Sequence, residues 1–107
     1  MPAFNRVLFS EHCDKCGLTH AKVVQFRYGR VWQIDYKIGD QIEWGKNSVG
    51  NPTGNVVVDG IAENIVGPCG SGIENYYVFI ADSVIEDVRA ADGKYDFSNI
   101  EEGWISR

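Results

Sequence analysis

The sequence predicts a small, mostly β domain built around an antiparallel sheet. Apolar and polar residues alternate in segments 24–28 and 32–38, which is typical of strands with one buried face. Turns that contain glycine interrupt this alternation at short intervals. The chain has 107 residues, of which 44% are hydrophobic, so we expect residues 1–107 to form a single domain with a modest core.

The first half of the chain contains three predicted strand regions. Residues 4–9 are β-prone and lead into a turn with two cysteines. Residues 22–28 follow, and Gly29-Arg30 is a predicted turn. The longest alternation comes next and resumes after Gly39-Asp40. Its apolar members, which we expect on the core face of the sheet, are Trp32, Ile34, Tyr36, Ile38, Ile42 and Trp44.

The second half begins with a strand over residues 56–58, followed by a predicted hairpin turn at Asp59-Gly60. Residues 76–81 form a strong predicted strand. Residues 83–90 have two interpretations. Ser83 followed by Glu86 matches a capping box, which favours a short helix near 83–90, whereas a last strand is the alternative.

Two further segments are candidates for interaction. Residues 45–55 are rich in Gly and Asn and predict a long loop, and loops of this length are often functional. The tail 91–107 is polar but carries four large apolar residues. We expect it to dock either on the domain or on a partner through Tyr95, Phe97, Ile100 and Trp104.

The three cysteines are the residues for which the sequence most clearly predicts a chemical role. Cys13-Asp-Lys-Cys16-Gly17 is a tight pair whose two sulfurs converge from one loop, which is half of a tetrahedral metal site. Cys69 lies in Val66-Gly-Pro-Cys-Gly, which keeps the outline of a second such turn. Val66 stands where the first cysteine of that turn would be.

Each cysteine turn follows one β-prone segment and precedes another, and in this the chain resembles the zinc-ribbon class over about residues 4–81. The resemblance implies two cysteine turns that hold one structural zinc between β-hairpins. Structural zinc takes four ligands. His20 is the first candidate for the fourth ligand, His12 the second and a water molecule the third. The predicted zinc ligands are therefore Cys13, Cys16, Cys69 and His20.

Other roles for the cysteines remain as alternatives. Without zinc, the three could pack as small hydrophobic residues. Cys13 and Cys16 could form a thiol redox pair, but the sequence after them is β-rich rather than helical. Cys69 and His20 could act as a catalytic nucleophile and its base. The three cysteines lie in turns of the metal-binding kind, however, which favours a role as metal ligands. We predict no catalytic residues and a non-enzymatic protein, since a zinc closed by four ligands offers no position for substrate.

The charge of the chain favours a protein partner. The net charge is −5, with +2 in residues 1–50 and −7 in residues 51–107. A net negative charge repels the phosphate backbone of nucleic acids and favours a partner with a basic surface. One version is an immunity or antitoxin protein that blocks a basic toxin. The alternative is single-stranded nucleic-acid binding through an aromatic surface of Tyr28, Trp32, Tyr36 and Trp44.

The location of the protein is expected to be cytoplasmic. No apolar run approaches 18 residues, so no membrane span is predicted. The first residues lack the apolar stretch of a signal peptide, and a reducing compartment favours metal binding over disulfides.

Overall fold

The computed structural model describes residues 4–12, 17–46, 48–63, 75–97 and 103–107, with His20 described by its backbone only. These residues form seven strands and no helix, which confirms the predicted β class. The strands are β1 Asn5–His12, β2 Thr19–Phe26, β3 Asp35–Lys37, β4 Asn55–Ala62, β5 Asn75–Ala81, β6 Val84–Ala90 and β7 Trp104–Ser106.

One curled sheet contains all of these strands. Neighbouring strands follow the order β3-β1-β2-β4-β5-β6. The last strand, β7, lies outside this order and pairs with β4. The sheet is mixed rather than wholly antiparallel as predicted, because β3 runs parallel to β1. The segment after β3 then reaches β6, where Gly39 N–H donates to Ile85 O at 2.7 Å and Ile42 N–H donates to Ser83 O at 2.6 Å. These bonds bring the two ends of the strand order together.

The inner face of the curled sheet forms the hydrophobic core. Tyr28 is completely buried, and its ring meets the rings of Trp44 and Trp104 edge-on at 5.5 and 5.8 Å. Edge-to-face contacts of this kind add to the free energy gained by burial alone. Other core residues are Val7, Val24, Phe26, Tyr36, Ile42, Val56, Val58, Tyr76, Val78, Ile80, Ile85 and Val88.

The tail covers part of the outer face. The Tyr95 ring lies edge-on to Tyr77 at 5.2 Å, and the Tyr77 hydroxyl donates to Tyr95 O at 3.1 Å. Phe97 also contacts Tyr77, at 6.0 Å between ring centroids. Arg107 secures the last residues, since its guanidinium donates to Val56 O at 3.1 Å and lies 5.1 Å from the Phe79 ring centroid. The described part of the tail therefore docks on the domain itself.

The helix considered for residues 83–90 is wrong. Asp82 and Ser83 have φ of 46° and 70°, the left-handed conformation that a two-residue hairpin turn requires, and they join β5 directly to β6. The Ser83 hydroxyl does not cap a helix but donates to Pro52 O at 2.6 Å. The β-branched residues of the segment then continue the sheet, which leaves Ile85 fully buried.

Two further expectations from the sequence were wrong. Asp59-Gly60 is not a turn, because β4 runs through both residues and pairs with Tyr76 and Tyr77 of β5. Only residues 35–37 of the long alternation form a strand, so Trp32 and Ile38 are not on a core face and are 72% and 43% exposed.

The absence of a side chain at Gly60 permits close contact between β2 and β4. A Cβ at this position would lie 2.5 Å from Val24 Cγ1, inside the core. We predict that Gly60→Ala lowers the free energy of unfolding by about 1–3 kcal/mol through overpacking. Gly45→Ala is the matched control, because its nearest neighbour would be the flexible Arg30 side chain at 3.4 Å. Urea unfolding of both variants measures the difference, and equal midpoints would contradict the prediction.

Candidate functional site

Both connections that carry cysteines leave the same end of the sheet. The last pair of the β1–β2 hairpin is His12 with Thr19, and Cys13 and Cys16 belong to the connection between them. Cys69 belongs to the connection between β4 and β5, which starts after Ala62 and Glu63. Of the four predicted zinc ligands, the three cysteines lie outside the described residues.

The register of β2 against β4 relates these two connections. Val24 pairs with Ala62, and Glu63 N–H donates to Val23 O at 2.9 Å. Because the two strands are antiparallel, β4 runs towards the beginning of β2 and thus towards the first cysteine turn. The topology therefore directs both cysteine connections to one end of neighbouring strands, as a shared metal site requires.

The two histidines also lie at this end. His20 is the second residue of β2, and its backbone pairs with Glu11. His12 is the last residue of β1 and is exposed. Among the residues that the structure describes, no group of three or more His, Cys, Asp or Glu side chains could hold a metal ion.

Glu11 and Tyr76 form a polar contact on the inner face at the same end. The Tyr76 hydroxyl donates to Glu11 Oε1 at 3.3 Å, and Phe9 packs edge-on against the Tyr76 ring at 5.8 Å. Burial, reinforced by the Glu11 carboxylate, raises the pKa of Tyr76 to about 12. The hydroxyl therefore keeps its proton at neutral pH and remains a donor to Glu11. Sequence reasoning assigned no role to either residue.

A second candidate site lies at the opposite end of the sheet, in the loop that follows β2. The side chain of Asn5 is completely buried beneath this loop. Its amide nitrogen donates to Tyr28 O and Arg30 O, both at 3.0 Å. Its amide oxygen accepts from Trp32 N–H at 3.2 Å and Ile34 N–H at 3.1 Å. One side chain thus uses its full hydrogen-bonding capacity to fix four backbone groups of the loop.

The fixed loop presents an exposed tryptophan. Trp32 is 72% exposed, the largest value among the exposed large hydrophobic residues of the described chain. Gln33, next to it, has φ of 55°, a conformation that costs free energy in a residue other than glycine. A bridge between Gly29 and Val49 holds the loop from its other side. The sequence could have shown the support, because Asn5 is a polar residue at a position in phase with buried Val7.

The four aromatic residues considered for nucleic-acid stacking do not form an exposed surface together. Tyr28 and Tyr36 are buried, and Trp44 is half-buried against the core. The Trp44 indole N–H donates to Ser83 Oγ at 2.9 Å, which ties its ring to the turn between β5 and β6. Trp32 is the one ring of these four that is free to contact a partner.

The loop 45–55 is held at several points in its described part. Asn51 N–H donates to the Tyr28 hydroxyl at 3.0 Å, and that hydroxyl donates to Asn51 O at 2.7 Å. Further along, Gly54 N–H donates to Asp82 Oδ1 at 2.8 Å. These bonds connect the loop to the core and to the β5–β6 turn.

Charged side chains on the outer face are partly paired. Arg6 donates to both carboxylate oxygens of Asp35 at 2.8 and 2.9 Å, and the hydrogen bond from this guanidinium lowers the pKa of Asp35. Asp59 is half-buried on β4, and burial raises its pKa. Exposed acidic residues elsewhere on the described surface are Asp40, Glu43, Asp82, Glu86, Asp92 and Asp96.

Comparison with known proteins identifies no relative of this chain. No protein-family model matches it, and neither a curated protein nor a solved structure is significantly similar. The described residues contain no helix that is long and apolar enough to cross a membrane.

The support that Asn5 gives to the Trp32 loop can be tested by an isosteric change. Asn5→Asp keeps the acceptor but removes both donors, so Tyr28 O and Arg30 O lose their partner and face a buried carboxylate. We expect a loss of about 2–4 kcal/mol in the free energy of unfolding.

Asn51→Asp is the matched control for this change. The Asn51 side chain is exposed, and its oxygen accepts from Thr53 N–H at 3.2 Å, a role that aspartate can also perform. We expect a change below about 0.5 kcal/mol in the control. Thermal unfolding at pH 7 measures both variants, and a similar small effect in the two would show that Asn5 does not hold the loop.

Proposed function

We propose that this chain is a non-enzymatic protein-binding module that contacts its partner through Trp32. The observation that carries the proposal is the combination of high exposure and fixed backbone: Trp32 is 72% exposed, while Asn5 holds the backbone on both sides of it. Tryptophan is enriched among the residues that dominate protein–protein binding energy. A loop that is already ordered loses little conformational entropy when it binds.

The overall charge favours a partner with a basic surface. The chain has a net charge of −5, and seven exposed acidic residues are distributed over its described surface. Complementary charge increases the association rate and disfavours acidic partners. An immunity or antitoxin protein that neutralises a basic toxin is a concrete case of this chemistry.

The role of Trp32 is tested by purifying the tagged chain from native lysate and identifying stoichiometric partners. We expect the wild type to retain a basic protein, and we expect Trp32→Ala to weaken its binding at least about tenfold, as for a dominant interface residue. Ile61→Ala is the matched control, because Ile61 is a large residue on a strand and is also 54% exposed. Calorimetry with the purified partner measures both affinities.

Three outcomes would contradict this proposal. The first is that no stoichiometric partner is recovered. The second is that Trp32→Ala and Ile61→Ala bind the partner equally well. The third is that single-stranded oligonucleotides bind the wild type at low salt and lose binding on Trp32→Ala, which would favour the nucleic-acid alternative.

We also propose that one structural zinc, bound by Cys13, Cys16, Cys69 and His20, stabilises the opposite end of the module. The support is topological, since the β2–β4 register directs both cysteine connections to one end of the sheet and His20 is the second residue of the strand that starts there. Three thiolates and an imidazole are a ligand set that suits tetrahedral zinc. Zinc so bound would stabilise the fold without acting on a substrate.

The zinc proposal predicts about one zinc per chain after purification without chelator. Cys69→Ala should lose most of this zinc, and a strong chelator should lower the melting temperature of the wild type but not of Cys69→Ala. Trp32→Ala serves as the control and should retain its zinc, because Trp32 lies in the loop at the other end of β2. Elemental analysis decides the question, and less than about 0.2 zinc per chain in the wild type would overturn the site.

A further inference from the structure

The outer face of the sheet carries an apolar pair at positions where polar residues are expected. Leu8 of β1 and Val23 of β2 are Cα partners, and directly opposed residues in an antiparallel ladder share one face of the sheet. Leu8 is 36% exposed, and Val23 beside it is half-buried. The next pair on this face, Ser10 with Ala21, has two small exposed side chains that permit another surface to approach closely. A solvated outer face normally carries polar residues, so the apolar pair indicates a contact surface.

Opposite charges lie at the two ends of this apolar pair. Lys37 of β3 is the parallel partner of Leu8, and its side chain is exposed. On the other side, Glu63 N–H donates to Val23 O at 2.9 Å, and the Glu63 carboxylate contacts Arg6 on the outer face of β1 at 3.5 Å. Four neighbouring strands therefore carry a row with the order Lys37, Leu8, Val23 and Glu63. The row has a cation at one end, an anion at the other and two apolar residues between them.

The two charges at the ends of the row are available to a second molecule. Lys37 has no ion pair with any residue that the structure describes. The contact between Glu63 and Arg6 is long, because the Arg6 guanidinium directs its short hydrogen bonds to Asp35 at 2.8 and 2.9 Å. Partly exposed ion pairs of this length contribute little to stability, so Glu63 loses little when it pairs with another cation.

We propose that this row is the centre of a two-fold interface with a second copy of the chain. A two-fold axis parallel to the strands, between β1 and β2, places the row of one copy against the row of the other in the reverse direction. Lys37 of each copy then meets Glu63 of the other, and Leu8 meets Val23. Such an interface is isologous, since both copies contribute the same patch. The strands of the two sheets are aligned in this arrangement, as in one of the two common packings of sheet on sheet.

The interface is small, so the dimer should dissociate on dilution. Strands lie about 4.8 Å apart and rise about 3.3 Å per residue, so a surface four strands wide and about eight residues long covers about 500 Å² of each copy. The total of about 1,000 Å² lies at the lower end for specific interfaces and is typical of weak association. None of the four residues of the row belongs to the Trp32 loop or to the proposed zinc site, so the dimer depends on neither.

Sedimentation equilibrium of the full chain tests the dimer at protein concentrations up to about 1 mM. We expect the wild type to be a dimer that dissociates as the concentration falls. Leu8→Lys places a charge at the centre of the row and should weaken the dimer at least about tenfold. Val84→Lys is the matched control, because Val84 is 37% exposed and begins β6, which is not part of the row. The control should associate as the wild type does.

The relative orientation of the two copies is tested by exchanging the charges at the ends of the row. Lys37→Glu leaves a carboxylate at both ends, and Glu63→Lys leaves an ammonium group at both ends. Like charges then meet across the interface, so each variant alone should associate at least about tenfold more weakly than the wild type. An equimolar mixture of the two variants brings opposite charges together again and should form a dimer with one copy of each.

A matched charge control and a folding control accompany this exchange. Lys46→Glu makes the same change in net charge at an exposed loop residue and should leave the dimer intact. Thermal unfolding of each variant shows that it is folded before its association is measured.

Four results would overturn the interface. The first is a wild type that stays monomeric at every concentration. The second is equal association of the wild type and Leu8→Lys. The third is a mixture of Lys37→Glu and Glu63→Lys that remains monomeric. The fourth is a monomeric wild type that binds a different protein more tightly than Leu8→Lys does, because this face would then bind that protein and not a second copy.

Discussion

The antiparallel pairing of β2 with β4 is the constraint on which the rest of the structure depends. Three residue pairs, Val24–Ala62, Gln25–Ile61 and Phe26–Gly60, join the β1–β2 hairpin to the strands that follow. The missing side chain of Gly60 lets the strands approach, since any Cβ there would meet Val24. This register sends both cysteine connections to one end of the sheet, and it leaves the loop after β2, with Trp32, at the other end.

Tyr28 also joins distant parts of the chain, within the core at the Trp32 end of the sheet. Its ring contacts Trp44 and Trp104, which come from distant parts of the chain, and its hydroxyl both donates to and accepts from the Asn51 backbone. Burial raises the pKa of this hydroxyl, so it remains a protonated donor at neutral pH. The glycine at position 50 fits this arrangement, because a Cβ there would fall against the Tyr28 ring. The buried Tyr28 side chain thereby holds the loop 45–55 in place and packs against β7, the last strand of the described residues.

The sequence predicted the β class but not the local exceptions. Alternation identified β2 and the buried position of Tyr36, because those residues follow a pleated backbone. It failed at Trp32, since Asn5 draws the backbone there into a loop by contacts from a residue 27 positions away. It also failed at Ser83, where the left-handed turn competes with helix capping for the same residue type. Exposure of Trp32 and the Tyr76–Glu11 contact depend on tertiary partners, so no local pattern could predict them.

Strand β1 connects the two candidate sites physically. Asn5, Val7, Phe9 and Glu11 alternate along it, so the face towards the core has apolar residues in the middle and a polar residue at each end. A polar side chain at a core position lowers stability unless its hydrogen bonds are satisfied. Asn5 satisfies this condition through the Trp32 loop and Glu11 through Tyr76. The six residue steps from Asn5 to Glu11 correspond to about 20 Å along an extended strand. At that separation a metal at the Glu11 end would act on the Trp32 loop through the stability of the sheet, and not by direct contact.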